Sequence, residues 1–146
     1  MNLGTDVKIT RVGNAVAAGT TDINSSVVDM SGYEGVLFMV LFGTITDTAV
    51  TSTKAQQGAQ ADLSDAADLA GTGVTVEDTA DNQVAWLDIY RPRERYVRCV
   101  VDRGTANAVV DGIIAIQYGP MGKPTSHDSS TVLGGEVHAS PDEGTA

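Results

Sequence analysis

Residues 90–118 read YRPRERYVRCVVDRGTANAVVDGIIAIQY and contain the strongest strand signals of the chain. Two runs rich in β-branched residues, Tyr96–Val101 and Val109–Tyr118, flank the polar connection 102–107. Such residues at a period of two predict strands. Alternate residues point to opposite sides of a strand, and the apolar side of the first run is formed by Val97, Cys99 and Val101. We therefore predict a β-hairpin, or two neighbouring strands, in this segment.

The second run contains a glycine, Gly112, within its apolar pattern. A glycine inside a strand often marks a bulge. We expect a kink there, after which Val110, Ile114 and Ile116 face the same core.

The entry to the first run is rich in arginine. Five of the nine basic residues lie within thirteen positions, namely Arg91, Arg93, Arg95, Arg98 and Arg103. Pro92 favours an extended conformation of the residue before it, and in an extended segment Arg91, Arg93 and Arg95 share one face. With Glu94 and Asp102, five positive and two negative charges leave +3 in a chain of net charge −10.

Two interpretations of this cluster remain open. The arginines can form salt bridges with the acids of their own domain, or they can dock an acidic partner, including another copy of this chain. Arginine together with aromatic residues is typical of interface anchors, and Tyr90 and Tyr96 flank the cluster. The interface candidates are Arg91, Arg93, Arg95, Arg98, Arg103, Tyr90 and Tyr96.

Length and composition indicate one domain of ordinary size. A chain of 146 residues buries about two-thirds of its unfolded surface and needs no disulfide. Cys99 is the only cysteine, and its strand pattern predicts a buried, inert thiol. The N-terminus lacks the layout of a secretory signal, and the longest apolar run, Val36–Phe42, is too short to span a bilayer. We expect a soluble protein made in a cytoplasm, without a membrane partner.

The acidic balance argues against nucleic-acid binding. With a net charge of −10 and a pI near 4.3, most of the surface repels phosphate backbones. Charged residues make up only 19%, and small residues take their place, as in β-rich domains with many turns.

Two further segments shape the fold prediction. Val36–Phe42 is apolar on both parities, which predicts a strand covered on both faces. Lys54–Gly71 has few β-branched residues, and we expect a short helix capped by Ser64, or a loop excursion.

The pattern as a whole predicts an all-β protein. Seven to nine short strands separated by turns indicate a single antiparallel β-sandwich, jelly-roll-like, or a barrel. We place this domain at residues 1–122 and a polar, flexible tail, able to become ordered on a partner, at residues 123–146.

No residue pattern predicts an enzyme, a metal site or a cofactor site. The motifs of phosphate-binding loops, serine hydrolases and zinc proteases do not occur. His127 and His138 lie in the predicted tail, where we expect them to be solvent-exposed. The acids Asp62, Asp65 and Asp68 lack the spacing of an EF-hand and are expected to form a solvated face. Three aromatic residues, Trp86, Tyr90 and Tyr96, are core or interface residues or, alternatively, form a platform on which a sugar or a base stacks.

Three stretches resemble small structural proteins of tailed bacteriophages. They are DVKITRVGNAVAAGTTDINSSVVDM at residues 6–30, GYEGVLFMVLFG at residues 32–43, and YRPRERYVRCVVDRGTANAVVDGIIAIQYGP at residues 90–120. The resemblance is loose between residues 54 and 82 and does not include the tail.

The resemblance implies a virion component, most simply a capsid decoration, or cement, protein. Such a protein sits on the capsid surface, binds the major capsid protein and other copies of itself, and bridges neighbouring subunits through several contacts at once. The alternatives are another phage part, such as a head–tail connector, tail-tube or fibre-base protein, and a carbohydrate-binding β-sandwich module.

Overall fold

A computed structural model describes residues 1–145; Ala146, the last residue of the predicted tail, lies outside the described residues. The described part contains one short helix and eleven strands. In chain order they are α1 (Leu3–Asp6), β1 (Lys8–Gly13), β2 (Val16–Gly19), β3 (Ile23–Asn24), β4 (Val28–Asp29), β5 (Gly35–Ile45), β6 (Val50–Gly58), β7 (Ala67–Asp68), β8 (Val74–Val76), β9 (Val84–Tyr90), β10 (Tyr96–Gly104) and β11 (Ala108–Tyr118).

The strands form two antiparallel sheets that pack against each other, so the predicted β-sandwich is confirmed. Sheet 1 has the order β1-β11-β5-β9, and β2 also pairs with β11. Sheet 2 has the order β3-β10-β6-β7, with β4 paired to β10 and β8 paired to β6. No helix within residues 1–145 has the length and apolar character needed to cross a membrane.

The core lies between the two sheets and follows from strand alternation. Sheet 1 contributes every second residue of β5, and sheet 2 contributes the predicted apolar side of β10. Each fully buried valine or phenylalanine contributes roughly 1.5–3 kcal/mol. The central members, all at most 2% exposed, are Val36, Phe38, Val40, Phe42, Val97, Cys99 and Val101.

The two strands of residues 90–118 lie in different sheets, so the predicted hairpin is wrong, and so is the alternative of two neighbouring strands. β10 pairs along its whole length with β6 in sheet 2, whereas β11 pairs with β5 in sheet 1. Residues 105–107 carry the chain from one sheet to the other, with Thr105 in the left-handed region at φ 64°. Alternation shows that a strand has an apolar face, but it does not show which strand lies beside it.

The predicted irregularity at Gly112 is present, but its consequence differs from the prediction. The pairing of β11 with β5 shifts between Val110 and Gly112. A bulge residue reverses the alternation, so the residues that face the core beyond it are Ile113, Ala115 and Gln117. Ile114 and Ile116, expected in the core, lie on the outer side of sheet 1 and are half-buried.

Residues 54–71 form no helix. β6 extends to Gly58, and residues 59–66 form turns, so the predicted helix is wrong and the loop alternative is correct. Aspartate side chains hold these turns by accepting backbone N–H groups, a contact that competes with helix formation. Asp65 accepts from Ala59 and Gln60 at 2.8 and 3.2 Å, and Asp62 accepts from Ser64 at 3.0 Å.

Residues 119–145 contain no strand or helix, but their first part contacts the N-terminal segment. Thr125 donates its backbone N–H to the Thr5 carbonyl at 2.9 Å. The backbone N–H of Ile9 donates to Nδ1 of His127 at 3.0 Å, and His127 is half-buried, not solvent-exposed as we expected. The tail therefore lies along the outer edge of β1, and the boundary at residue 122 stays a prediction.

Candidate functional site

The two outer faces of the sandwich differ in polarity. On sheet 2 the outward side chains are mostly polar and pair with one another: Lys54 bridges Asp68 at 3.1 Å and Asp102 at 3.5 Å, and Arg98 donates to Gln56 at 2.8 Å. On sheet 1 the outward side chains of the central strands are apolar and half-buried. This outer apolar face comprises Ile9, Leu37, Met39, Leu41, Val84, Trp86, Tyr90, Ile114 and Ile116.

The outer apolar face corrects the prediction that β5 is covered on both sides. Leu37, Met39 and Leu41 lie on the outer face and are only half-buried. In register, Met39 lies between Ile114 and Trp86. The sequence of β5 is thus apolar on both faces of the strand, but the chain fully buries only the inner face.

The most exposed part of this face is β9. Trp86 is 64% exposed, Tyr90 57% and Val84 47%. Asp88 lies between the two aromatic residues and accepts a 2.6 Å hydrogen bond from the hydroxyl of Tyr118. Burial, followed by this bond to a carboxylate, raises the pKa of Tyr118. Contiguous exposed apolar side chains of this kind mark interaction surfaces.

The predicted aromatic platform is only partly assembled. Trp86 and Tyr90 project from the same side of β9, four residues apart. Tyr96 begins β10 in the other sheet and pairs with Asp29 and Gly58. Only the first two aromatic residues therefore share a surface.

An arginine corner, defined as residues 91–95, follows directly after β9. Arg91 has φ 49°, in the left-handed region, so the extended conformation that we predicted for this segment is wrong. The guanidinium of Arg91 lies 5.1 Å from the centroid of the Tyr90 ring and 3.4 Å from a Glu34 carboxylate oxygen. This pair is exposed, so it contributes little to stability.

Arg95 makes the best-formed ion pair of the corner. Its Nε and one terminal nitrogen each donate to Asp29 at 2.8 Å, a bidentate contact. Hydrogen bonding to Arg95 lowers the pKa of Asp29, and the same contact raises the pKa of Arg95. The Arg95 guanidinium also lies 5.2 Å from the Tyr96 ring centroid.

Arg93 is the arginine of the corner whose guanidinium has no carboxylate partner within residues 1–145. Within residues 1–145 its side chain makes no ion pair and no hydrogen bond. Its backbone N–H donates to Gln57 at 3.2 Å, which fixes the loop and leaves the guanidinium in solvent. The corner lines one side of a shallow cavity of about 440 Å³, and the other lining residues are Met30, Ser31, Tyr33 and Glu34.

Arg103 does not belong to this surface, which corrects its place among the interface candidates. It is 6% exposed and holds together the ends of several strands. Its guanidinium donates to the carbonyls of Thr21 at 2.7 Å, Ala17 at 3.0 Å and Ala108 at 2.7 Å. The corner therefore offers Arg91, Arg93 and Arg95, and Arg98 lies half-buried on sheet 2.

The remaining reactive groups are held in structural contacts. Burial raises the pKa of the Cys99 thiol to about 12, so it is protonated at neutral pH. Asp68 pairs with Lys54 and Gln56. Asp62 and Asp65 instead accept backbone N–H groups and stabilise turns. Within residues 1–145, no three or more His, Cys, Asp or Glu side chains are arranged to hold a metal ion.

No protein-family model matches the chain, and no curated protein matches it. The function of the chain is therefore inferred from its surfaces and from the resemblance of residues 6–30, 32–43 and 90–120.

Proposed function

We propose that the protein is a structural part of a tailed-bacteriophage virion, a capsid decoration protein that binds the major capsid protein at the capsid surface. The observation that carries the proposal is the outer apolar face of sheet 1, which the chain itself covers only in part. A decoration protein functions by burying such surface across neighbouring subunits. The arginine corner at the end of the same face supplies directional contacts to carboxylates.

Charge and sequence also support this role. A net charge of −10 opposes binding to packaged DNA and favours contacts with protein. The resemblance to phage structural proteins includes β5, β10 and β11, the strands that build the centre of both sheets.

The test is reconstitution on purified phage heads that lack the protein. The wild type is expected to sediment with expanded heads, and cryo-electron microscopy is expected to show it on the shell. Met39→Asp and Ile116→Asp, which place charges on the outer apolar face, are expected to lower occupancy at least tenfold. Ser52→Asp, on the polar outer face of sheet 2, is the matched control and should bind as the wild type does.

Two results would contradict the proposal. Mature heads of the encoding phage that contain no copies of the chain, by mass spectrometry, would exclude a decoration role. Density at the neck or tail would favour a connector, tail-tube or fibre-base part instead.

A second candidate, a carbohydrate-binding module, is favoured by Trp86 and Tyr90 alone. Both rings are more than half exposed on one strand face, where sugars can stack. A glycan array read with the wild type and with Trp86→Ala distinguishes the two. Binding that requires Trp86 would support the module, and an array without binding would exclude it.

A further inference from the structure

We propose that two copies of the chain associate edge to edge through β9, antiparallel, about a two-fold axis at Leu87. Sheet 1 then continues from one copy into the other, and the two outer apolar faces become one surface. This inference concerns self-association and does not depend on the proposed function.

The first observation is that β9 is an open sheet edge, whereas the tail covers the start of the opposite edge of sheet 1. At the β1 edge, the tail supplies His127 to the N–H of Ile9 and Thr125 to the carbonyls of Thr5 and Val7. The edges of sheet 2 consist of strands of two or three residues, a length that discourages further pairing. β9 has seven residues, and within residues 1–145 it pairs only with β5.

The second observation identifies the backbone groups that point outward. The N–H of Arg91 donates to Glu34, and the N–H of Phe42 donates to Gln83. Both bonds continue the β5–β9 register, so the odd-numbered residues of β9 direct their N–H and C=O groups toward β5. The even-numbered residues direct their backbone N–H and C=O groups to solvent. Within residues 1–145 these backbone groups have no hydrogen-bond partner in Val84, Trp86, Asp88 and Tyr90.

The third observation is the absence of the features that normally protect an edge. β9 contains no lysine and no proline, and its register with β5 runs without a bulge from Val84 to Tyr90. A groove of about 480 Å³ runs beside the strand, lined on its far side by Gly71, Thr72 and Val74. An extended strand can therefore approach the edge.

A single register pairs all of the outward groups. With the two-fold axis at Leu87, Trp86 faces Asp88 of the second copy and Val84 faces Tyr90 of the second copy. The four outward N–H groups of each copy then meet four outward carbonyls of the other. An aromatic residue opposite a β-branched one is a favourable cross-strand pair, and no carboxylate lies directly opposite another.

Charge complementarity at the ends of the strand favours a second copy as the occupant. Beyond Tyr90 the arginine corner lies beside the turn that precedes β9 in the second copy, residues 77–82. This turn carries Glu77, Asp78 and Asp81, whereas the corner carries the unpaired guanidinium of Arg93. Glu77 is exposed and, like Arg93, makes no ion pair within residues 1–145.

The wild-type protein supplies the first test. Sedimentation equilibrium is expected to show a reversible dimer. Hydrogen exchange at rising protein concentration should slow the amides of Trp86 and Asp88, while those of Ala85 and Leu87 stay protected throughout. A monomer at all concentrations, or a dimer whose Trp86 and Asp88 amides exchange as fast as in the monomer, would overturn the proposal.

A pair of substitutions at Trp86 tests the register. Trp86→Asp places a carboxylate opposite Asp88 of the second copy and is expected to weaken dimerisation at least tenfold. Trp86→Lys removes the same ring but places an ammonium group opposite that carboxylate, and it should weaken dimerisation several-fold less. Equal effects of the two variants would reject the Leu87 register.

A charge exchange tests the ends of the interface. Arg93→Glu and Glu77→Arg alone are each expected to weaken the dimer, and the double variant should recover most of the loss. The four single variants at Trp86, Arg93 and Glu77 alter exposed side chains, so at protein concentrations where the wild type is monomeric their thermal melts should match that of the wild type. If the losses of dimer affinity in the two single variants simply add in the double variant, the contact between the corner and the acidic turn is rejected.

Discussion

Two arginines that lie eight positions apart in this chain have different roles. Arg95 lies at the surface and pairs with Asp29, which is also exposed in part. Arg103 is buried and donates to three backbone carbonyls from three separate segments. Both contacts use the planar guanidinium, but only the removal of Arg103 would leave a buried carbonyl, that of Ala108, without its charged donor.

Replacing Arg103 by methionine keeps most of the side-chain volume and removes the donors. We expect the free energy of unfolding, measured by urea denaturation, to fall by about 2–3 kcal/mol, because the carbonyls of Ala17, Thr21 and Ala108 lose a charged donor. Arg98→Met on the same strand is the control, with an expected loss below about 1 kcal/mol. Equal losses for both variants would contradict the structural role of Arg103.

The Asp29–Arg95 pair predicts a pH dependence. The contact lowers the pKa of Asp29 below its ordinary value of 3.8, so the unfolded chain binds the proton more readily. The stabilisation is therefore complete above pH 3.8 and is lost as the pH falls through the folded pKa. Asp29→Asn, whose side chain can still accept the Ser31 N–H, should be less stable than wild type at pH 7.

Urea unfolding between pH 7 and pH 3 checks this expectation. The difference between wild type and Asp29→Asn should be constant at neutral pH and should shrink in the acidic range. A difference that persists undiminished at pH 3 would show that the charge on Asp29 is not its source.

At the scale of elements, a few glycines permit close contacts between strands. Gly35 begins β5, and a Cβ atom there would overlap the ring and hydroxyl of Tyr118 on β11. The ring therefore lies across the glycine and reaches Asp88 on β9. Three neighbouring strands are tied together at this point.

Gly35→Ala should disrupt that arrangement. Because the ring of Tyr118 must move, we expect a loss of about 1–3 kcal/mol in unfolding free energy. The pKa of Tyr118 should also fall toward its ordinary value in spectrophotometric titration, since the displaced ring becomes less buried and its bond to Asp88 breaks. Gly73→Ala, where a Cβ meets nothing within 4 Å, is the control. An unchanged tyrosine titration would contradict the prediction.

At the scale of the whole molecule, the sandwich is asymmetric. One outer face is polar and internally paired, and the other is apolar and open. One edge of sheet 1 is covered by the tail, and the other is bare. A single chain with this distribution has one preferred side and one preferred edge for contacts.

Removing residues 123–146 tests both the domain boundary and the role of the tail. Residues 1–122 should remain folded, because every strand ends before residue 119. The amide of Ile9 should exchange faster, since His127 no longer accepts it. Circular dichroism and hydrogen exchange check these outcomes. An unfolded truncated chain would show that the tail belongs to the domain.

The sequence by itself determined the fold class and the local faces. Strand alternation predicted the buried side of β10 with Cys99, a short apolar run predicted the strand at residues 36–42, and a glycine within an apolar strand pattern predicted the bulge at Gly112. These properties depend on the period of an extended backbone, which is visible in neighbouring residues. The clustering of arginines at residues 91–103, around the start of β10, was also visible, because it is a local excess of one residue type.

Only the tertiary structure decided the partners of each strand. It placed β10 and β11 in different sheets, left the outer side of β5 open, buried Arg103 and made β9 an edge. Each of these outcomes depends on residues far apart in the chain, such as the carbonyls of Ala17 and Thr21 around Arg103. A pattern within one strand records that a face is apolar, but what covers that face is fixed by long-range packing.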